Sequence, residues 1–249
     1  MLLALDIGNS HVCCAVYDSN KWIFDIRISS NLDFWNKFKT LKEYDITHAA
    51  ISSVVPKLTP VYVEAIRNIF YIDTFIIKHE NSGVKLKVDV LEDIGIDRIC
   101  NTMAAGILLG TPAIVGDIGS ATNYDVIDKK GVFIGGAIAP GIEVAAQNLI
   151  KRAALLKEIA FVVPKTAVGK STGSNLQSGI MLGAIDVVDG MFQRILTEME
   201  WKNCNVIVTG GFGELISSHL KTEHTLLPTL TLDGIRIIYE KNQINIQTN

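Results

Sequence analysis

The sequence has no strong excess of charge of either sign and no long apolar run. Its formal net charge is −3, with 20% charged and 48% hydrophobic residues, which is typical of a folded globular chain rather than a disordered one. No basic patch favours a nucleic-acid partner. The longest apolar runs have the length of strands, and Met1–Leu5 carries no basic residue. We therefore expect no membrane span, no signal peptide and a cytoplasmic location.

The few cysteines do not form a metal-binding or disulfide pattern. They are Cys13, Cys14, Cys100 and Cys204, with no Cys-x-x-Cys spacing and no histidine cluster nearby. These spacings argue against a zinc site and against a disulfide framework. We expect buried free thiols instead.

The order of apolar segments predicts a mixed α/β protein in which strands come first and then alternate with helices. The predicted strands are 2–5, 11–17, 22–28, 49–55, 74–77, 113–118, 123–127, 132–138 and 205–209. The predicted helices are 32–44, 59–70, 96–109, 140–156, 175–200 and 214–220. The tail after Asn242 is expected to be mobile.

The second half of the chain repeats the opening of the first. Residues 2–17 have the order strand, Asp-x-Gly turn, strand, and residues 113–127 have the same order. Gly110-Thr111-Pro112 ends the preceding helix, which places a domain boundary there. We therefore predict an N-terminal domain of residues 1–110 and a C-terminal domain of residues 111–249, with a ligand site in the cleft between them.

The two Asp-x-Gly turns have the chemistry that a nucleotide's phosphates require. Glycine lets main-chain N–H groups approach phosphate oxygens, and aspartate holds cations directly or through water. One such turn alone is most simply an ordinary hairpin, whereas two of them about one domain apart favour a phosphate site. The residues concerned are Asp6, Gly8, Asn9 and Ser10 in the first half, and Asp117, Gly119 and Ser120 in the second.

A third turn, Thr209-Gly210-Gly211, follows a buried-type strand and precedes a short helix. Bare backbone at Gly210 and Gly211 would let an adenine or a ribose lie against the main chain. As a dinucleotide-binding fingerprint this segment is weak, because position 216 is isoleucine rather than glycine.

Seven motifs occur in an order that resembles the type III pantothenate kinases, and the resemblance spans about residues 1 to 241. They are Asp6-x-Gly-Asn-Ser, the run Ile51 to Pro56, Gly95-x-Asp97-Arg98, Asp117-x-Gly-Ser-Ala-Thr, the run Gly135 to Gly141, Gln177-Ser-Gly179 and Val208-Thr-Gly-Gly211. The resemblance implies two ribonuclease-H-like domains of the actin-like ATPase superfamily, with mixed sheets and flanking helices.

The same resemblance implies a reaction, its cofactors and the residues that serve it. The reaction is ATP-dependent phosphorylation of pantothenate to 4'-phosphopantothenate, the first step of coenzyme A synthesis, with Mg²⁺ and a monovalent cation (K⁺ or NH₄⁺), in a homodimer. Asp97 is the implied base and Asp117 the implied monovalent-cation ligand. The implied ATP-binding residues are Asp6, which can also hold Mg²⁺ through water, with Gly8, Asn9, Ser10, Gly119, Ser120, Gly210 and Gly211. The implied substrate-binding residues are Gly95, Ile96, Asp97, Arg98 and Thr172.

Alternatives remain open from the residues alone. Asp97 begins a predicted helix, where an aspartate commonly stabilises the N-terminus without taking part in chemistry. Val88 occupies the position at which these kinases usually have a tyrosine that contacts pantothenate, so another small acceptor remains possible in this reading. A non-catalytic relative that binds nucleotide and acts as a regulator is the third hypothesis.

Overall fold

The structure, a computed structural model, describes residues 1–29, 38–152, 156 and 158–247. Eleven strands are seen in these residues: β1 (Leu2–Ile7), β2 (His11–Asp18), β3 (Lys21–Ser29), β4 (His48–Ser53), β5 (Thr74–Ile76), β6 (Lys85–Leu86), β7 (Ala113–Ile118), β8 (Ala121–Ile127), β9 (Val132–Pro140), β10 (Asn205–Thr209) and β11 (Thr225–Leu226). The α-helices with both ends in this part of the chain are α1 (Thr59–Phe70), α2 (His79–Ser82), α3 (Ile96–Leu108), α4 (Ile142–Arg152), α5 (Thr172–Glu198), α6 (Gly213–Ser217) and α7 (Leu230–Gln247).

The chain divides into two compact units. Unit 1 is Met1–Leu108 together with the C-terminal segment from Thr229, and unit 2 is Leu109–Pro228. The division after Leu108 lies close to the predicted boundary at residue 110. The C-terminal end differs from the prediction, because α7 belongs to unit 1, where it packs against α3, β1 and β4.

The two units share one strand topology. In unit 1 the order is β3-β2-β1-β4-β5, and in unit 2 the corresponding strands lie in the order β9-β8-β7-β10-β11. The first three strands of each unit are antiparallel neighbours, and the last two add in parallel. This agreement of order and direction confirms the internal repeat predicted from the two Asp-x-Gly turns.

The central strands are buried because helices cover the sheets. In β1 the side chains of Leu3, Leu5 and Ile7 are fully buried, as are those of Ile114 and Ile118 in β7. A strand covered on both faces is apolar at nearly every position, and this produces the continuous apolar runs seen in the sequence. Each central strand ends at its aspartate turn, so the packing that holds the buried strand in place also determines the position of the turn.

Several predicted elements need correction. Residues Asn242 to Gln247, which the sequence suggested as an unstructured tail, are the last part of α7. The predicted helix at 32–44 lies partly outside the described residues, and Leu41–Glu43 is a 3-10 helix. The predicted helix at 140–156 is shorter: strand β9 continues through Pro140, and α4 begins only at Ile142. No helix in the described part of the chain is both long enough and apolar enough to cross a membrane.

Candidate active site

In unit 1 the first turn places Asp6 near the end of β1 beside two neighbouring strands. Its register partners are Cys13 on β2 and Ser52 on β4. The fully buried Ser52 donates its hydroxyl hydrogen to Oδ1 of Asp6 at 3.0 Å. The turn itself is closed by Gly8, whose N–H donates to the carbonyl of His11 at 3.0 Å. The Asp6 carboxylate is therefore oriented by a buried donor at the mouth of an exposed turn.

The two predicted phosphate donors of this turn, Asn9 and Ser10, are exposed at its tip. Gly8 sits tightly behind them, since a Cβ at that position would lie 3.1 Å from the carbonyl oxygen of His11. An exposed tip with main-chain N–H groups beside a carboxylate is suited to hold phosphate oxygens together with a cation.

The predicted base lies in the first turn of α3, and Gly95 makes room for its carboxylate. A Cβ on Gly95 would overlap Oδ1 of Asp97 and would also approach Cγ1 of Val54 to 3.2 Å. The same Oδ1 accepts a hydrogen bond from the main-chain N–H of Arg98 at 2.8 Å. Ile96, the first residue of α3, is partly buried, whereas Arg98 is almost fully buried. In the Gly-x-Asp-Arg motif, the glycine and the arginine amide together hold the Asp97 carboxylate against the backbone.

The acid chemistry of Asp97 is set mainly by burial. Burial raises the pKa of its carboxyl above the ordinary 3.8, and the Arg98 amide and guanidinium oppose that rise. Burial disfavours the charged form, so the carboxylate is a stronger proton acceptor than an exposed aspartate. A carboxylate of this kind fits the role of a general base, which works best when its pKa approaches the working pH.

The buried thiol of Cys100 is affected by the charges of both Asp6 and Asp97. Burial raises the pKa of Cys100 well above its ordinary value, and the negative charges of Asp6 and then Asp97 raise it further, while a hydrogen bond with Ser52 lowers it. Cys100 is fully buried on α3, one turn after Asp97. The negative charges of Asp6 and Asp97 thus both act on one buried thiol, which shares Ser52 as a hydrogen-bond partner with Asp6.

Unit 2 builds its turn in the same way from different residues. Asp117 on β7 has Asn123 as its antiparallel partner and the buried Thr209 as its parallel partner. Thr209 therefore takes the register position that Ser52 takes in unit 1. The N–H of Gly119 donates to the carbonyl of Ala121 at 2.9 Å and closes the turn, leaving Ser120 exposed.

Two other glycines press directly on this second turn. Gly210 has φ +88°, and a Cβ there would overlap Oδ1 of Asp117 and lie 2.6 Å from the main-chain nitrogen of Ile118. A Cβ on Gly141 would overlap the carbonyl oxygens of Gly119 and Ser120. Gly210 is predicted from the sequence to bind ATP, and its packing shows that the absence of a side chain lets the end of β10 approach Asp117.

The two remaining predicted residues, Gly211 and Thr172, both belong to unit 2. Gly211 is exposed immediately after Gly210, and Thr172 is the exposed first residue of α5. Ser171 caps that helix, accepting a hydrogen bond from the N–H of Ser174 at 3.2 Å. Sequence reasoning assigned no role to Ser52, Cys100 or Gly141, although Ser52 and Gly141 stand inside motifs that it had recognised.

The groups available as ligands determine which cations these turns can bind. No group of three or more His, Cys, Asp or Glu side chains that could hold a metal occurs among the residues described. Mg²⁺ is commonly held by one or two carboxylates together with substrate phosphates and waters. The single carboxylate of Asp6 beside a main-chain turn fits that pattern.

Solved structures with this topology define the class of protein. The chain superimposes on a putative 2-dehydro-3-deoxygalactonokinase from Sinorhizobium meliloti with TM-score 0.62 and 10% identity, covering 97% of this chain and 96% of that one. It is also similar to MreB5 of Spiroplasma citri bound to ADP, with TM-score 0.52 and 13% identity, covering 100% and 98%. Two mixed sheets with flanking helices and matched aspartate turns make this a protein of the actin-like ATPase and sugar kinase fold, with two ribonuclease-H-like domains.

Sequence comparison identifies the family. The family model of type III pantothenate kinase matches residues 2–194. A type III pantothenate kinase from Roseiflexus sp. (strain RS-1) is 35% identical over 260 aligned residues, covering 98% of this chain and all of that protein. The chain belongs to the type III pantothenate kinase family.

Proposed function

We propose that this chain transfers a phosphoryl group from ATP to the hydroxyl of pantothenate, forming 4'-phosphopantothenate for coenzyme A synthesis in the cytoplasm. The family match over nearly the whole chain supports the reaction. The observation that carries the assignment of residues is that unit 1 orients two carboxylates by specific donors, Asp6 by the hydroxyl of Ser52 and Asp97 by the amide of Arg98. A kinase needs one carboxylate for the phosphate end and another for the acceptor.

Asp97 is the proposed general base. Phosphoryl transfer has a loose transition state, so orienting the attacking hydroxyl and accepting its proton are the main tasks of the base. The Arg98 amide fixes one carboxylate oxygen, which leaves the other for the substrate hydroxyl. Gly95, Ile96, Arg98 and Thr172 are proposed to contact pantothenate.

The ATP phosphates are proposed to bind at the two turns. Asp6 would hold Mg²⁺, directly or through water, and the bound ion would neutralise charge on the transferring phosphoryl group. Main-chain N–H groups and the exposed donors of the turns would take the phosphate oxygens. The residues of this proposal are Asp6, Gly8, Asn9, Ser10, Gly119, Ser120, Gly210 and Gly211.

Asp117 is proposed to bind the monovalent cation, K⁺ or NH₄⁺. Its carboxylate lies against Gly210, the residue after β10, and would supply oxygen to the singly charged ion.

A homodimer is the proposed assembly. The side chains of Val144 and Leu149 on α4 are 37% and 47% exposed, and exposed aliphatic groups on one helix suit contact with a second copy.

The test is a coupled assay of the purified chain with ATP, Mg²⁺ and pantothenate, run with K⁺, with NH₄⁺ and with neither. We expect product only with a monovalent cation, and no product from Asp97→Ala. A panel of other small hydroxyl acceptors should be poorer substrates than pantothenate. Absence of phosphopantothenate under all cation conditions, from protein that binds ATP, would contradict the proposal.

A further inference from the structure

Helix α7 meets helix α3 at unusually short range. A Cβ on Gly234 would overlap the carbonyl oxygen and carbonyl carbon of Cys100 and would lie 2.8 Å from its Cα. All three atoms are main chain, so no side-chain rotation can relieve the contact. Only glycine at position 234 allows the two helices to lie this close, and the contact falls one turn after Asp97.

Polar contacts fix α7 to α3 on either side of this crossing. Thr231 donates its hydroxyl hydrogen to Oδ1 of the fully buried Asn101 at 2.8 Å. Further along, the ammonium of Lys241 lies 3.4 Å from Sδ of Met103. The register of the two helices is therefore set at several positions, with Gly234 at the closest approach.

The other side of α7 is fixed to the sheet that carries Asp6. The indole N–H of Trp22 on β3 donates to Oδ1 of Asp233 at 3.0 Å. The guanidinium of Arg236 lies over the ring of Tyr17 on β2, 4.7 Å from its centroid. Helix α7 thus links the sheet of unit 1 with the helix that begins at Asp97.

We propose that Gly234 is a positioning residue, through which α7 sets the placement of Asp97 relative to Asp6. The main chain of Cys100 contacts α7, whereas its thiol hydrogen-bonds with Ser52 and is exposed to the charges of Asp6 and Asp97, so a displacement of α3 at Cys100 changes the position of Asp97 relative to the strand that carries Asp6. This inference rests on the proposed role of Asp97 as the base. A shift of about 1 Å in a catalytic group can lower the rate by on the order of 100-fold.

The test is Gly234→Ala, with Gly190→Ala as the matched control. Gly190 lies in helix α5, and a Cβ there would meet nothing within 4 Å. We expect Gly234→Ala to lower kcat by roughly 10- to 100-fold, with the KM for ATP changed by less than about threefold, and Gly190→Ala to retain wild-type kcat and KM. Thr231→Val, which removes the hydroxyl donor to Asn101, gives a smaller kcat loss and decides the matter if Gly234→Ala does not fold.

A structural measurement separates this inference from the proposed reaction. Hydrogen exchange of the Ile99 to Thr102 amides should become faster in Gly234→Ala and stay unchanged in Gly190→Ala, whether or not the chain phosphorylates pantothenate. A wild-type chain without kinase activity would overturn the proposed reaction alone. Folded Gly234→Ala with wild-type kcat, or with unchanged exchange in α3, would overturn the positioning role, as would Thr231→Val with wild-type kcat if Gly234→Ala does not fold.

Discussion

Ser52 donates its hydroxyl hydrogen to Oδ1 of Asp6 across 3.0 Å, from a position on β4 that is fully buried. The two residues are parallel register partners, so the contact follows directly from the strand order of the unit. A hydrogen bond to a charged acceptor contributes about 1.5–3 kcal/mol, and here it also selects the direction in which the carboxylate points.

Ser52→Ala should therefore weaken both folding and catalysis. We expect the free energy of unfolding to fall by about 1–3 kcal/mol, and kcat to fall by about tenfold because Asp6 loses its orienting donor. Denaturant unfolding and steady-state kinetics measure the two effects. Ser82→Ala is the control, since Ser82 is also buried and donates to the carbonyl of His79 at 2.9 Å. Equal kcat values for the two variants would argue against an orienting role for Ser52.

Much of the fold could be predicted because local sequence signals agreed with the packing. Helix 59–70 and strand 205–209 were predicted with the bounds that the structure has. The repeated Asp-x-Gly turn predicted the repeated topology, since the same order of strand, turn and strand in both halves indicates the same local fold. Helix α7 was missed because its apolar residues, among them Ile235 and Ile238, are interrupted by Gly234 and by charges that pair within the helix, such as Arg236 with Glu240 at 2.8 Å.

The candidate site could be predicted as far as its motifs extended along the chain. Residues of one motif, such as Gly95 and Asp97, meet because they are neighbours. The contact between Ser52 and Asp6 depends on strand register across 46 positions, and that between Gly234 and Cys100 depends on a helix crossing. Sequence spacing carries no information on either, so both became visible only in three dimensions.

The raised pKa of Asp97 gives a pH-dependent prediction. Because burial raises the pKa above 3.8 in the folded chain, the acidic limb of kcat/KM should have its midpoint above 3.8. Asp97→Asn should lower kcat by on the order of 10²- to 10⁴-fold by removing the base. A pH-rate profile of the wild type, with a single-turnover assay of the variant, measures both. A midpoint at or below 3.8 would contradict the assignment.

The stability of the folded chain should fall over the pH range in which ionisation of Asp97 raises activity. The folded chain binds the Asp97 proton more tightly than the unfolded chain does, so the free energy of unfolding falls as pH rises from 3.8 through the folded pKa. Above that window the penalty for a buried charge persists. Asp97→Asn is uncharged at every pH and should have a higher Tm than the wild type at neutral pH, with the difference shrinking under acidic conditions. Thermal unfolding across pH checks this.

The cysteines should differ sharply in reactivity. Cys14 and Cys100 are buried, and Cys13 and Cys204 are partly exposed. Burial raises the pKa of the Cys204 thiol to about 11 and raises the pKa of Cys14 and Cys100 as well, which leaves little reactive thiolate. At mildly alkaline pH we expect a thiol reagent to label Cys13 first and the others only on unfolding. Peptide mapping of wild type and Cys13→Ser measures the order, and rapid native labelling of Cys100 would contradict the packing around Asp97.

A comparison of alanine substitutions at Gly210 and Gly131 can separate the stability cost of a left-handed backbone from the effect of a steric contact. Its φ of +88° and that of Gly131, +76°, are both in the left-handed region, but a Cβ on Gly131 would meet nothing within 4 Å. Gly131→Ala should lose about 1–2 kcal/mol of stability for the backbone alone and keep its activity.

Gly210→Ala carries the same backbone cost, and its Cβ also presses on Asp117 and Ile118. We expect it to raise the KM for ATP and weaken activation by the monovalent cation by tenfold or more, because the carboxylate and the second turn must move together. Kinetics at varied ATP and K⁺ on both variants measure this, and matching values would mean that the contact with Asp117 has no part in binding.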